Sequence, residues 1–132
     1  MKFNKSEIIK KKKYFKNIYE RGTEFSGKIL RCLVVRTEPN EMFVKANVVF
    51  GVSVGRNVRL AVDRNRIKRL VRESYRRNRN LIKPLSEKAT CTTAMLFTFR
   101  QKRGTIFRLP TFNEVENDMK NIINQILDGT IN

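Results

Sequence analysis

The sequence predicts one α+β domain, with a sheet of about four strands and three helices. Three observations lead there. Short β-branched and apolar runs alternate with longer segments whose apolar residues recur at helical spacing. No repeat, linker or low-complexity stretch divides the chain. The 132 residues suffice for a single core. Residues 1–132 are therefore read as one single domain, frayed at about 1–5 and 128–132.

The elements follow in the order α-β-β-β-α-β-α. A first helix is expected from about Ser6 to Arg21. Ile8, Ile9, Phe15, Ile18 and Tyr19 give it an imperfect apolar stripe, and Gly22 supplies a stop. Ile29 to Thr37 reads as a strand, and Thr37-Glu38-Pro39-Asn40-Glu41 as a turn. Met42 to Val54 reads as one long strand or two short ones. In its second half Phe50, Val52 and Val54 point one way, and Val49, Gly51, Ser53 and Gly55 the other. The bulky face should pack on helices, and the small face leaves room for a ligand. A basic helix follows from about Ala61 or Arg64 to Arg79, with Ile67, Leu70, Val71 and Tyr75 as its apolar stripe. Ala89 to Arg100 is the next strand, and Gln101 to Leu109 a basic loop. The last helix starts at Thr111, which has capping-box spacing to Glu114 and follows Pro110. Its buried face is Phe112, Val115, Met119, Ile122, Ile123 and Ile126. Glu114, Glu116 and Asp118 sit in its early turns, where the helix dipole favours anions.

Charge limits the function classes. Lys plus Arg number 29 against 12 Asp plus Glu, a net +17. That excess would repel itself without a polyanion to neutralise it. The apolar residues are arranged to build a core, which favours a nucleic acid over a membrane surface. No apolar run reaches signal-peptide or membrane-span length. A cytoplasmic protein with no membrane association is expected. Cys32 and Cys91 lie in strands without metal-binding spacing and read as buried thiols in a reducing compartment.

The sequence lacks the parts of most enzymes. It has no histidine, hence no common general base or zinc ligand. There is no P-loop, no GxGxxG and no close acid pair that the elements place in a strand-end cleft. No catalytic side chain, no protein-held metal and no small-molecule substrate are expected.

Residues 64–79, RNRIKRLVRESYRRNR, carry the main signal. Eight of these sixteen are basic and Glu73 is the single acid. Lys68, Arg72 and Arg76 align at i, i+4 and i+8, with Arg69 beside them and Arg79 beyond. Packing of the apolar stripe would turn this row outward. Such a row matches phosphates, which arginine forks engage two oxygens at a time. A solvated basic face would look similar, but the acids that normally alternate with the bases are missing. Phe15 and Tyr19, spaced i,i+4 among lysines, suit either stacking on unpaired bases or the core. Arg56 and Arg59, in the loop after Val54, suit either phosphate contacts or an ordinary surface loop. Arg31, inside an apolar strand, is either an edge residue or a cation on a nucleic-acid-facing sheet.

Phe50 to Arg76, FGVSVGRNVRLAVDRNRIKRLVRESYR, resembles the protein subunit of bacterial ribonuclease P. The likeness centres on Ala61-Val62, Arg64-Asn65-Arg66, Ile67, Lys68-Arg69 and Arg72-Glu73. Phe15, Tyr19 and Gly22 fit the family's pair of aromatics before a glycine. The resemblance implies a left-handed crossover around the basic helix. It implies a catalytic RNA as partner, and precursor tRNA, cut at its 5′ end, as substrate. It also implies Mg²⁺ held mainly by that RNA. By position, Arg64, Asn65, Arg66, Lys68, Arg69 and Arg72 would face the catalytic RNA, with Arg76 extending the row. Phe15, Tyr19, Gly51 and Ser53 would line a cleft for the single-stranded 5′ leader, joined by Arg31 and Arg56. The stretch Gly55 to Leu60 departs from the family pattern, because Arg59 stands where a glycine is usual. The alternatives are a structural RNA-binding protein, such as a small ribosomal protein or RNA chaperone, and a protein-only nuclease or DNA-binding module.

Overall fold

The computed structural model describes residues 12–37, 48–55, 57–87, 92–99 and 107–131. Its elements are α1 (Lys12–Arg21), β1 (Thr23–Ser26), β2 (Leu30–Thr37), β3 (Val48–Val54), α2 (Ala61–Arg77), α3 (Arg79–Glu87), β4 (Thr92–Phe99) and α4 (Phe112–Ile131). The α+β class and a four-stranded sheet agree with the sequence reading, and the order agrees roughly, with strand β1 and one helix added.

The strands form a sheet in the order β1-β2-β4-β3. β1–β2 and β2–β4 are antiparallel, whereas β3–β4 is parallel. A parallel neighbour cannot be reached by a tight turn. The chain therefore crosses over through α2 and α3, and this places the basic helix between two adjacent strands. Alternation then sorts side chains onto two faces. Leu30, Cys32, Met95, Phe97, Phe99, Val48 and Phe50 pack with Ile67, Val71, Tyr75, Val115, Met119, Ile122 and Ile126 under α2 and α4. Leu33, Val35, Val49, Ala94 and Leu96 form a smaller cluster with Ile18 of α1 on the opposite face. Burial pushes the Cys32 thiol far up, so it stays protonated and inert. Cys91 lies outside the described residues.

Several boundaries differ from the sequence reading, each for a physical reason. Strand β1 was not expected, because Thr23–Ser26 is mostly exposed and has no apolar alternation to announce it. The basic stretch is two helices. Asn78 sits at φ −108°, ψ 17° and closes α2, its backbone N–H donating to the Ser74 and Tyr75 carbonyls and its side-chain amide to Ser74 O at 2.7 Å. Helix α3 then starts at once, buries Ile82 and tolerates Pro84, although a helix-interior proline removes an N–H donor. Residues 6–11 of the expected first helix and 38–47 of the expected turn and strand lie outside the described residues. Gly22 ends α1 as expected. Its N–H donates to Ile18 O at 2.8 Å, and a Cβ there would lie 2.5 Å from that same oxygen.

The capping box of α4 is present. Glu114 N–H donates to Thr111 Oγ1 at 3.2 Å, and Thr111 N–H to Glu114 Oε1 at 3.1 Å. Arg108 Nη2 donates to Glu114 Oε2 at 2.6 Å. Arg108 first, then the Thr111 N–H, hold the Glu114 carboxyl down to about 2 from its usual 4.5. A folded-state pKa below the unfolded one adds stability above about pH 4.5 that is lost as pH falls towards 2. Glu114→Gln keeps the box but not the charge. In urea titrations it should be less stable than wild type at neutral pH, and the two should converge near pH 2. A gap that stays constant with pH would remove the carboxylate charge from the account.

Candidate nucleic-acid interface

Helix α2 is oriented by what it buries. Ile67, Val71, Ser74 and Tyr75 face the core. Tyr75 stacks on Phe50 of β3, ring centroids 4.2 Å apart at 11°, and Phe50 in turn meets Phe97 at 5.9 Å. Such ring contacts set the rotation of the helix about its axis. Asn65, Arg66, Arg69 and Arg72 are exposed as a result.

This outward row differs from the expected one of Lys68, Arg72 and Arg76. The expected stripe of Ile67, Leu70, Val71 and Tyr75 does face the core, with Ser74 added and Leu70 half-buried, and the side opposite it carries Asn65, Arg69 and Arg72. Lys68 is left on the flank, half-buried. Arg76 is drawn to Glu73, with Nε donating to Oε2 at 3.1 Å and Nη2 to Oε1. That hydrogen bond lowers the Glu73 carboxyl and raises the Arg76 guanidinium from their usual values. Arg64 turns back on the chain, Nη1 donating to Val58 O at 2.7 Å and Arg59 O at 2.9 Å. It braces the loop before the helix. Arg77 is held by α4, 3.8 Å from Glu116 Oε2 and 5.2 Å over the Phe112 ring.

The other candidate surface lies on the opposite face of the sheet. The strand registers place Ser26, Arg31, Thr98 and Ser53 in one cross-strand row, and Glu24, Leu33, Leu96 and Gly51 in the next. Ile18 packs against the part of the face formed by Leu33, Val35, Val49, Ala94 and Leu96. Beyond this apolar part the face becomes polar. Arg31 Nε and Thr98 Oγ1 are buried without a hydrogen-bond partner among the described residues, and Glu24 Oε1 is 3.9 Å from Arg31 Nε. Buried polar atoms of this kind call for a partner. Gly51 is a buried floor residue and Ser53 is half-buried, as their small size suggested. Tyr19 is 46% exposed, whereas its neighbour Ile18 is in the core. The Phe15 side chain and Arg56 lie outside the described residues.

Thr98 was missed by the sequence reading. Ala94 to Phe97 are all apolar, and this hides the alternation that puts Thr98 beside Arg31 and Ser53. Among the described residues no group of three His, Cys, Asp or Glu could hold a metal ion, and no helix is long and apolar enough to cross a membrane.

The sequence profile of the family described as Ribonuclease P matches residues 3–127. The chain belongs to the ribonuclease P family. Relatives named ribonuclease P protein component include one from Clostridioides difficile (strain 630), 28% identical over 123 residues, covering 93% of this chain and 94% of that one. Another, from Clostridium novyi (strain NT), is 32% identical over 119 residues and covers 90% and 92%. The Staphylococcus aureus RNase P protein structure superposes with a TM-score of 0.66 at 21% identity, over 91% of this chain and 94% of that one. The Thermotoga maritima RNase P protein gives 0.64 at 22%, over 84% and 89%. The ribonuclease P fold thus extends well beyond the motif of residues 50–76, to the β1–β2 hairpin and α4.

Proposed function

We propose that this chain is the RNA-binding subunit of ribonuclease P, a ribonucleoprotein endoribonuclease that processes the 5′ end of precursor tRNA. One observation carries the reading. Two surfaces suited to nucleic acid lie on opposite sides of one sheet, so one protein can engage two RNAs together. On one side, α2 docks the catalytic RNA through Asn65, Arg66, Arg69 and Arg72, with Lys68 at the flank. Arg64 and Arg76 support this surface from within, through the loop and Glu73. On the other side the single-stranded leader lies along Arg31, Thr98 and Ser53 over Gly51. A guanidinium and two hydroxyls suit phosphate and ribose oxygens, and exposed Tyr19 suits stacking on an unpaired base. Phe15 and Arg56 join this group by family position.

Four acids of the described helices are already engaged. Glu73 engages Arg76, Glu114 engages Arg108 and Thr111, Glu116 engages Arg77 and Lys120, and Asp118 is buried among backbone N–H groups. These residues do not fit a protein-held catalytic metal. Mg²⁺ on the RNA would supply the activated water and charge neutralisation at the scissile phosphate. The protein's own part is to hold the leader and to place it against the RNA.

The test is cleavage of precursor tRNA by the partner RNA at a Mg²⁺ concentration where the RNA alone is slow. Added protein should raise the rate, and more for substrates with a leader several nucleotides long than for a one-nucleotide leader. No stimulation would sink the reading.

A further inference from the structure

Leu60 and Val62 are the two most exposed large apolar side chains among the described residues, at 59% and 56%. Their exposure does not come from a loose loop. Val58, two residues before Leu60, is buried in the main core. Arg64 grips the carbonyls of Val58 and Arg59. The N–H groups of Asp63 and Arg64 donate to Leu60 O at 3.1 and 3.0 Å. The backbone on both sides of Leu60 is thus fixed, and its side chain is held out. Leu60 also occupies the N-cap of α2 and makes no side-chain capping bond there, where serine or aspartate would stabilise the helix. Val62 is likewise β-branched in an exposed helix turn, where alanine would serve stability better. Stability explains neither residue.

Their neighbours indicate a use. Val62, Asn65, Arg66 and Arg69 stand at i, i+3, i+4 and i+7, so the apolar pair heads the cationic row. We propose that Leu60 and Val62 make an apolar contact with the catalytic RNA where it presents the face of an unpaired base, beside phosphates held by Arg66 and Arg69. This rests on the reading of α2 as the docking helix. Duplex RNA offers side chains a charged backbone and 2′-hydroxyls, whereas an unpaired base offers an apolar face. A protein partner would have to bring its own acids to meet Arg66 and Arg69, and RNA carries its charges with it. The contact adds a salt-independent part to affinity that the arginines cannot supply.

The experiment measures binding of the full chain to transcribed ribonuclease P RNA from the same organism across a salt series. Leu60→Ser and Val62→Ala, singly and together, should weaken binding, the pair by about five- to tenfold. The plot of log affinity against log salt should shift down without changing slope. Both substitutions favour the helix, so the melting temperature should hold or rise, and lost affinity cannot then be lost fold. Leu60→Met should bind as wild type. Unchanged affinity in the double variant, or a changed slope, overturns the inference. Arg69→Ala/Arg72→Ala in the same series separates the two claims. If the arginine pair weakens binding and the apolar pair does not, only this inference fails. If neither does, the docking reading itself falls.

Discussion

Replacing Asp118 with alanine should lower the unfolding free energy by about 3 kcal/mol. The thermal midpoint should drop by about 10 °C. The carboxylate is buried and accepts three backbone N–H groups of the β1–β2 turn. Oδ1 takes Lys28 N–H at 2.8 Å, and Oδ2 takes Ile29 and Leu30 N–H at 2.8 and 2.7 Å. Leu30 N–H is buried, so alanine would leave it without an acceptor. Gly27 shares the same design. A Cβ there would lie 2.4 Å from Asp118 Oδ1. Gly27→Ala should therefore also destabilise, and combined with Asp118→Ala it should add much less than its single cost, because the two remove one contact. Chemical unfolding followed by circular dichroism tests all three variants. A loss below about 1 kcal/mol for Asp118→Ala would show that water replaces the carboxylate freely. The functional consequence is local. The gripped turn aligns Ser26 opposite Arg31, so leader binding should suffer before docking through α2 does.

Removing two guanidiniums from α2 should have the largest effect on RNA binding. Arg69→Ala/Arg72→Ala should weaken affinity for the catalytic RNA by about ten- to a hundredfold at low salt. The slope of log affinity against log salt should become shallower by about one to two units. The reason is their position. Both are exposed opposite the buried Ile67–Val71–Ser74 stripe, and among the described residues no ion pair holds either of them. Arg77 provides the contrast. It is as cationic, yet it is held by Glu116 and the Phe112 ring. Arg77→Ala should cost some stability and leave the salt slope unchanged. Equal slopes for the arginine pair and wild type would mean that these guanidiniums do not meet phosphate.

The sequence showed that α2 is a basic amphipathic helix and which side of it is buried. Ile67, Val71 and Tyr75 of the expected stripe lie in the core and Leu70 packs against it. The helix also buries Ser74, a small polar residue that gives no periodic signal. The row was placed less well, because Lys68 lies on the flank beside the buried stripe and Asn65 shares the exposed side with Arg69 and Arg72. Arg64 and Arg76 looked like their neighbours because a guanidinium reads the same whether it meets a phosphate, a loop carbonyl or a nearby glutamate. The polar row on the other face was partly legible. Gly51 and Ser53 followed from alternation in β3, and Arg31 from being a cation in an apolar strand. Thr98 joins them only through the strand pairing.

Local information thus determined a good deal. The charge excess, the missing histidine, the Gly22 stop, the Thr111–Glu114 cap and the RNR motif each act within a few residues of chain. Together they set the class of partner, the element types and the family. Tertiary structure decided what depends on residues far apart. Asp118 was read as an acid suited to an early helix turn, and its actual partners lie 88 to 90 residues away. The parallel β3–β4 pair, the two-faced sheet and the division of arginines between an exposed row and internal braces have the same origin. Short-range preferences are written in the order of residues, but the contacts that choose among them form only when the sheet and α4 come together.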